Sequence, residues 1–190
     1  MKVYFTASAR GTKNHLSIYR KIYQIIDELG NVNLDDLVCT IQEENFYNGA
    51  HSDKVSLYKK SMAYINAADV VVLEVSTHSL SMGYLMNKAL DMGKPVIALY
   101  SENNDPYFAE GINNDKLQLL KYSEENLDTV LKSALEYAGD LVDVRFNFFI
   151  SPAIGRYLDW VSKVKKIPRS VYLRALIEHE MEENKEYNDQ

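Results

Sequence analysis

Two short stretches of the sequence carry hydroxyl residues and glycines, and one of them adds an arginine, a combination suited to binding an anion. Hydroxyl groups, backbone N–H groups at the start of a helix and an arginine can together surround a phosphate. Stretches of this composition are also common as simple turns, so a structural role stays open on the residues alone. The residues concerned are Ser8, Arg10 and Gly11 in the first stretch, and Ser76, Thr77, Ser79, Ser81 and Gly83 in the second.

The second stretch lies inside a segment that we predict to form a strand, a loop, a helix and a second strand. Val70–Val75 is a β-branched run typical of a strand buried on both faces. Ser76–Gly83 is the predicted loop, Tyr84–Met92 the helix and Val96–Tyr100 the second strand. Two buried strands around one helix indicate parallel pairing, and ligands of such sheets bind at the carboxyl ends of the strands.

The rest of the first 139 residues alternates in the same way between strands and helices. This alternation predicts a doubly wound α/β domain over residues 1–139. The predicted strands are Lys2–Ala7, Leu34–Ile41 and Leu117–Tyr122, the predicted helices are His15–Leu29, Val55–Ala67 and Glu124–Ala138, and the predicted loops are Glu43–Asp53 and Glu102–Asp115.

Residues 140–190 differ in style and are predicted to form a separate module. Val142–Ile150 alternates as a strand, and Ser151 with Pro152 marks the start of a helix. A second helix is expected after Pro168, with Ser170 as its N-cap. A strand and two helices of this length cannot enclose a core of their own, so the module is expected to pair with a second copy.

Composition limits the classes of protein to consider. The net charge is −6, yet residues 145–174 hold seven Lys or Arg against one acid, Asp159, which suggests a separate role for that segment. No apolar run is long enough to span a membrane and no secretory signal is visible, so we expect a cytoplasmic protein without a membrane partner. The single Cys39 cannot form an internal disulfide, and no Cys/His spacing predicts a metal or cofactor.

Two motifs, VYFTASARG near the start and ADVVVLEVS followed by GY and GKPVIALY, resemble the nucleoside 2-deoxyribosyltransferase family. The resemblance covers roughly residues 2–135 and is nearest in style to the deoxynucleoside monophosphate N-glycosidases. It implies a flavodoxin-like five-stranded parallel sheet, a homodimer or higher homo-oligomer, and cleavage or exchange of the bond between base and deoxyribose. The residues that match the phosphate-binding motifs of the family are Tyr4, Ser8, Arg10, Gly11, Ser79 and Gly83.

The sequence departs from this family at the two positions that carry its chemistry. Leu85 stands where the family has its nucleophilic glutamate, and Ser61 stands where it has an aspartate. Leucine cannot act as a nucleophile, and two carboxylates are the usual equipment for glycosidic cleavage. We therefore expect a catalytically inactive protein that binds a nucleotide or nucleoside phosphate. The alternative is an N-glycosidase or deoxyribosyltransferase with relocated carboxylates, for which Glu43 and Glu74 are the fallback candidates.

Residues 145–182 resemble a ribbon-helix-helix module, which dimerises through antiparallel strands that enter the major groove of DNA. Phe149 departs from the pattern, because a polar or basic side chain usually occupies that place. The hypothesis is a dimeric, ligand-responsive DNA-binding regulator; the alternatives are an oligomerisation arm that does not bind DNA and a scaffold with a vestigial pocket. The candidate DNA-binding residues are Arg145, Asn147, Lys165, Lys166, Arg169 and Ser170.

Overall fold

A five-stranded, fully parallel sheet organises the first three quarters of the chain. A computed structural model describes residues 1–40, 50–101, 104–142 and 148–185. The strands lie in the order β2-β1-β3-β4-β5, and each neighbouring pair is parallel. This confirms the predicted flavodoxin-like, doubly wound α/β fold. The strands are β1 (Lys2–Ala7), β2 (Val32–Asn33), β3 (Val70–Glu74), β4 (Val96–Ser101) and β5 (Leu117–Tyr122).

Helices connect successive strands, and a 3-10 turn, Ala9–Gly11, follows β1. The chain divides by its internal contacts into two compact units, Met1–Val144 and Arg145–Gln190. In the first unit, the described residues form the helices α1 (Thr12–Glu28), α2 (Leu37–Thr40), α3 (His51–Ala67), α4 (Leu80–Asp91), α5 (Tyr107–Glu110) and α6 (Leu127–Asp140). Those of the second are α7 (Pro152–Lys165) and α8 (Arg169–Glu183).

The two faces of the sheet carry two separate apolar layers, because successive side chains of a strand point to opposite faces. Val3 and Phe5 of β1 belong to the layer that includes the buried sides of α1 and α6. Tyr4 belongs to the other layer, with residues of α3 and α4. Every residue of β3 is buried, which explains why its sequence is an unbroken apolar run up to Glu74.

The predicted strand Leu34–Ile41 is wrong. The strand at this place is β2, only two residues long, and the chain then forms α2. The carboxylate of Asp35 accepts a hydrogen bond from the N–H of Leu37 at 3.0 Å, as a capping residue does at a helix start. This local side-chain bond turns the chain away from the sheet. Ile41 lies outside the described residues, as does most of the predicted loop that follows.

Helix α4 begins at Leu80, four residues before the predicted start at Tyr84. Ser79 occupies the N-cap position in an extended conformation, so the residues from Ser81 to Gly83 form the first turn of the helix rather than a loop. A short helix, α5, also lies within the predicted loop Glu102–Asp115.

The described residues of the second unit form two helices that pack against each other. Its first helix starts as predicted: Pro152 opens it, and the hydroxyl of Ser151 accepts a hydrogen bond from the N–H of Ile154 at 3.3 Å. The predicted N-cap Ser170 is wrong, because the second helix begins at Arg169 after Pro168. Within the predicted strand, positions 143–147 lie outside the described residues, and Val142 and 148–150 are not in a strand.

None of the helices formed by the described residues is long and apolar enough to cross a lipid bilayer.

Candidate functional site

A cavity of about 640 Å³ opens beside the carboxyl ends of β1 and β3. In the strand order 2-1-3-4-5 this is the switch point of the sheet, where ligands of such folds bind. The volume lies within the usual range for small-molecule sites. Its lining residues are Tyr4, Thr6, Ala7, Ser8, Ala9, Leu37, Val38, Lys54, Leu57, Tyr58, Ser61, Leu80, Ser81, Met82, Tyr84 and Leu85.

Strand β1 supplies the polar floor of this cavity. Tyr4, Thr6 and Ser8 alternate along the chain, so their side chains share the face of the sheet on which the cavity lies. The hydroxyl of Tyr4 donates a hydrogen bond to the hydroxyl oxygen of Ser61 at 3.1 Å, and both residues are buried. Burial raises the pKa of Tyr4 above its ordinary value, which keeps this phenol protonated as a donor.

Among the predicted site residues, Ser8 is the one whose buried hydroxyl lacks a hydrogen-bond partner among the described residues. The residue is 2% exposed, and its hydroxyl makes no hydrogen bond with any described residue. A buried hydroxyl without a partner is costly, so it calls for a bonding group that arrives from the cavity. Ser8 also precedes the 3-10 turn without capping it through its side chain.

The amino end of α4 forms the wall next to this floor. Leu80, Ser81 and Met82, the first three residues of the helix, all line the cavity. The first N–H groups of a helix have no partner within it, and Ser79 makes no side-chain cap to them. These N–H groups and the positive end of the helix dipole favour an anion at this wall.

Four predicted binding residues lie around the cavity without lining it. Ser79 is the N-cap of α4, and Gly83 faces open space. Arg10 is exposed on the 3-10 turn. Gly11 is buried, and a Cβ atom there would overlap the hydroxyl oxygen of Tyr19, which shows that this glycine is needed for a close approach.

The two positions that depart from the family pattern meet in the cavity. Leu85 and Ser61 both line it, and each is 7% exposed. Leu85 packs in the same apolar layer as Met82 and Met86. Among the described lining residues there is no aspartate, glutamate or histidine, and Lys54 is the charged one.

The fallback carboxylates are placed differently. Glu74 is completely buried and does not line the cavity; it alternates with Leu73, so its side chain lies on the opposite face of the sheet. There it accepts hydrogen bonds from the hydroxyls of Tyr19 at 3.3 Å and Tyr122 at 3.0 Å. Glu43 lies outside the described residues. No cluster of described His, Cys, Asp and Glu side chains could hold a metal ion.

Apart from Ser61, sequence reasoning missed the contribution of α3. Lys54, Leu57, Tyr58 and Ser61 line the cavity at the spacing i, i+3, i+4 and i+7, which is one face of a helix. That spacing was visible in the sequence and could have identified the wall. The hydroxyls of Tyr58 and Tyr84 lie 3.2 Å apart and join α3 to α4 beside the cavity.

The candidate DNA-binding residues all belong to the second unit. Arg169 forms an ion pair with Asp159, and the ammonium of Lys165 lies 5.1 Å from the ring centre of Tyr172. Lys166, in the turn between the helices, has a left-handed backbone with φ of 55°. Ser170 is exposed in the first turn of α8, whereas Arg145 and Asn147 lie outside the described residues.

Comparison with known proteins identifies nucleotide hydrolases as relatives. The sequence is 28% identical over 138 residues to 5-hydroxymethyl-dUMP N-hydrolase of Mus musculus, covering 70% of this chain and 79% of that protein. It is 30% identical over 142 residues to "Putative 2'-deoxynucleoside 5'-phosphate N-hydrolase 1" of Syntrophotalea carbinolica, covering 71% and 94%. A solved CMP N-glycosidase of Clostridium botulinum aligns with a TM-score of 0.49 and 16% identity over 72% of this chain and 99% of that one. No family model matches.

Replacing Gly11 by alanine tests the close approach beneath the cavity. We expect Gly11→Ala to lower the free energy of unfolding by about 1–3 kcal/mol, because its Cβ overlaps the buried Tyr19 hydroxyl. Urea unfolding measures the change. Gly83→Ala is the matched control: no described residue lies within 4 Å of its Cβ, so helix propensity raises stability by about 0.5–1 kcal/mol. Equal effects of the two substitutions would contradict the steric interpretation.

Proposed function

The chain belongs to the 2'-deoxynucleoside 5'-phosphate N-hydrolase family of nucleoside 2-deoxyribosyltransferase-like proteins, and from that premise we propose that it binds a 2'-deoxynucleoside 5'-monophosphate without cleaving it. The observation that carries the proposal is the composition of the cavity. Ser8 and the start of α4 line the cavity with groups suited to an anion, while Leu85 and Ser61 line it at the two positions where the family resemblance implies acids. The described part of the site can therefore hold a phosphate but lacks a nucleophile.

Phosphate binding is supported by two independent groups of donors. The Ser8 hydroxyl has no bond to any described residue, and the first turn of α4 presents uncapped N–H groups to the same cavity. A phosphate accepts several hydrogen bonds at once and carries the charge that a helix amino end favours. Leu57, Tyr58 and Leu85 then offer apolar and aromatic surface for the rest of a nucleotide.

The absence of cleavage follows from chemistry at the glycosidic bond. Breaking that bond needs a group that attacks the anomeric carbon or stabilises its positive charge, together with a group that assists the departing base. The leucine side chain at position 85 does neither. The serine at position 61 is already bonded to Tyr4, and a hydroxyl without an adjacent base is a weak nucleophile.

Hydrolysis is the second candidate, and the names of the relatives favour it. It would need a carboxylate to reach the cavity from another part of the chain. Glu74 faces the other side of the sheet, so Glu43 is the remaining fallback residue of the two. The two candidates differ in a single observable, the release of free base.

A second proposal concerns residues 145–190. We propose that this unit pairs with a second copy and contacts the phosphates of double-stranded DNA, with nucleotide binding changing that contact. Ile154, Tyr157, Trp160 and Val164 are about half exposed on α7, an apolar surface suited to burial in a dimer. The basic residues around the turn between α7 and α8 supply the positive charge for DNA.

Ligand binding is tested with Ser8→Ala. Calorimetric titration with the four common 2'-deoxynucleoside 5'-monophosphates should give saturable binding that the substitution weakens about tenfold, since it removes one bond to a charged group. Melting temperature without ligand should not fall, because the hydroxyl has no bond to a described residue. Ser133→Ala, an exposed serine on α6, is the control. Equal affinity in the wild type and Ser8→Ala proteins would refute the role of Ser8.

Base release is tested by chromatography of the same four monophosphates after long incubation with millimolar substrate. We expect no free base from the wild-type protein, and release from a Leu85→Glu, Ser61→Asp double variant, because the two carboxylates would meet in the cavity. Wild-type release that Glu43→Gln abolishes would establish the hydrolase instead.

DNA binding is tested with a Lys165→Glu, Lys166→Glu double variant. In fluorescence anisotropy at low salt, the variant should bind duplex DNA more weakly, with a salt slope reduced by about two, because two phosphate contacts are lost. Lys59→Glu with Lys60→Glu, two adjacent exposed lysines on α3, is the charge-matched control. An equal loss of DNA affinity in both double variants would indicate nonspecific electrostatic attraction and contradict the assignment of Lys165 and Lys166.

A further inference from the structure

Glu74 is a buried carboxylate that the proposed function does not use. Its side chain is completely inaccessible and accepts hydrogen bonds from four neutral donors: the Tyr19 hydroxyl, the Tyr122 hydroxyl, and both the N–H and the hydroxyl of Ser76. These donors come from α1, from the end of β5 and from the segment that follows β3. Burying a carboxylate is costly, and multiple hydrogen bonds of this kind offset part of that cost.

The first of these bonds reaches the turn that carries Ser8. Oε2 of Glu74 accepts from the hydroxyl of Tyr19 at 3.3 Å. The backbone of Gly11 lies directly against that same hydroxyl, so closely that no side chain fits between them. The N–H of Gly11 in turn donates to the carbonyl oxygen of Ser8 at 2.9 Å. The hydrogen bond to Glu74 fixes the Tyr19 hydroxyl, and the position of that hydroxyl in turn limits where the 3-10 turn can lie.

The second set of bonds reaches the segment that leads into α4. Oε1 of Glu74 accepts from the N–H of Ser76 at 3.2 Å and from the hydroxyl of the same residue. The hydroxyl oxygen of Ser76 also accepts from the N–H of Ser101 at 2.8 Å, which ties the segment to the end of β4. Three residues beyond Ser76 stands Ser79, the N-cap of the helix.

The two sets of bonds meet beneath the cavity. Thr77 follows Ser76, and its hydroxyl oxygen would lie 3.0 Å from a Cβ at Gly11, so the two loops touch there. One carboxylate thus fixes the turn after β1 through one oxygen and the segment after β3 through the other. Oε2 accepts from Tyr19 while Oε1 accepts from Ser76 and Tyr122, so the group serves both loops at once.

We propose that Glu74 is a positioning residue: it sets the separation between Ser8 and the amino end of α4, so that both contact one phosphate group. The inference rests on the proposed nucleotide binding and deepens it, because it identifies what holds the two halves of the phosphate site together. Glu74 acts from the opposite face of the sheet and touches no ligand. A chain of packed groups and hydrogen bonds carries the effect to the cavity.

Glu74→Gln tests this role, because glutamine keeps the shape but replaces one acceptor oxygen by a donor NH₂ group. With its oxygen toward Ser76 and Tyr122, the amide NH₂ faces Tyr19, whose hydroxyl must turn from donor to acceptor, so a neutral bond replaces the bond to the carboxylate and the link to the first loop is weakened. Tyr19→Phe breaks the same link from its other end. Tyr122→Phe is the matched control: it also removes one buried hydrogen bond to Glu74, together with a contact to the Ser76 hydroxyl. Ser76 keeps its own two bonds to Glu74 and the bond from Ser101, and the Tyr19 link to the first loop is untouched.

The readout is affinity for two probes, inorganic phosphate and 2'-deoxyuridine, by calorimetry at a temperature well below the melting point of each variant. Glu74→Gln and Tyr19→Phe should weaken phosphate binding about tenfold, the loss of roughly one bond to a charged group, and leave deoxyuridine binding unchanged. Tyr122→Phe should change neither affinity. Removing a nearby negative charge would by itself strengthen phosphate binding, so a weakening reports geometry.

Two results would overturn the inference, and they are distinguishable. In the first, the wild-type protein binds phosphate and all three variants bind it equally well, or the variants lose affinity for phosphate and deoxyuridine to the same extent. Glu74 then stabilises the fold without positioning the site. If the wild-type protein binds neither phosphate nor any deoxynucleoside monophosphate, the proposed function fails first, and the role of Glu74 falls with it.

Discussion

The parallel pairing of β1 with β3 is the constraint on which the rest of the first unit depends. It places Ala7 opposite Glu74, so the two loops that follow these strands leave the sheet side by side. Alternation along β1 then sends Tyr4, Thr6 and Ser8 toward one face and Val3 and Phe5 into the layer on the other. A one-residue change of register would place the polar set in the α1 layer and the apolar set on the cavity side.

The sequence predicted the architecture well where the signals were strong and local. The run Val70–Val75 was found almost to the residue, because a strand buried on both faces has an unbroken apolar signature. The segment Leu117–Tyr122 was found to the residue as well, although it is a mostly half-buried strand at the edge of the sheet. The strand predicted over 34–41 was not, since the hydrogen bond from the Leu37 N–H to the Asp35 carboxylate starts a helix there. Such a bond depends on side-chain geometry that residue types alone do not specify.

The site was predictable in part, for a similar reason. The sequence predicted Ser8 and Ser81 at one edge of the sheet, and the family resemblance singled out Leu85 and Ser61; all four line the cavity. The sequence did not separate residues that line the cavity from those that support it. By residue type, Gly11 and Glu74 could equally be ligand-binding residues, yet both contact Tyr19 and neither lines the cavity. That distinction depends on which face of the sheet each side chain meets, a tertiary property.

Neutral residues at positions 61 and 85 change the energetics of the cavity as well as its chemistry. A carboxylate next to a bound nucleotide repels the phosphate, and its own desolvation costs energy. Leucine and a serine bonded to Tyr4 carry neither cost. The cavity can therefore hold an anionic ligand more tightly than a hydrolytic site of the same shape, for which tight binding of the ground state would bring no gain in turnover.

The shortness of β2 gives the two walls of the cavity unequal local stability. Leu37 and Val38 follow a strand of only two residues at the edge of the sheet, whereas the wall formed by α4 follows β3 at its centre. Edge elements with few backbone bonds open at a lower free energy than central ones, and they open without the rest of the domain. A ligand held between the walls would therefore contact the stable α4 wall on one side and the less stable segment after β2 on the other. Part of the binding free energy would suppress local opening of that edge. Amide hydrogen exchange along 32–40 would therefore slow on ligand binding before the global free energy of unfolding changes.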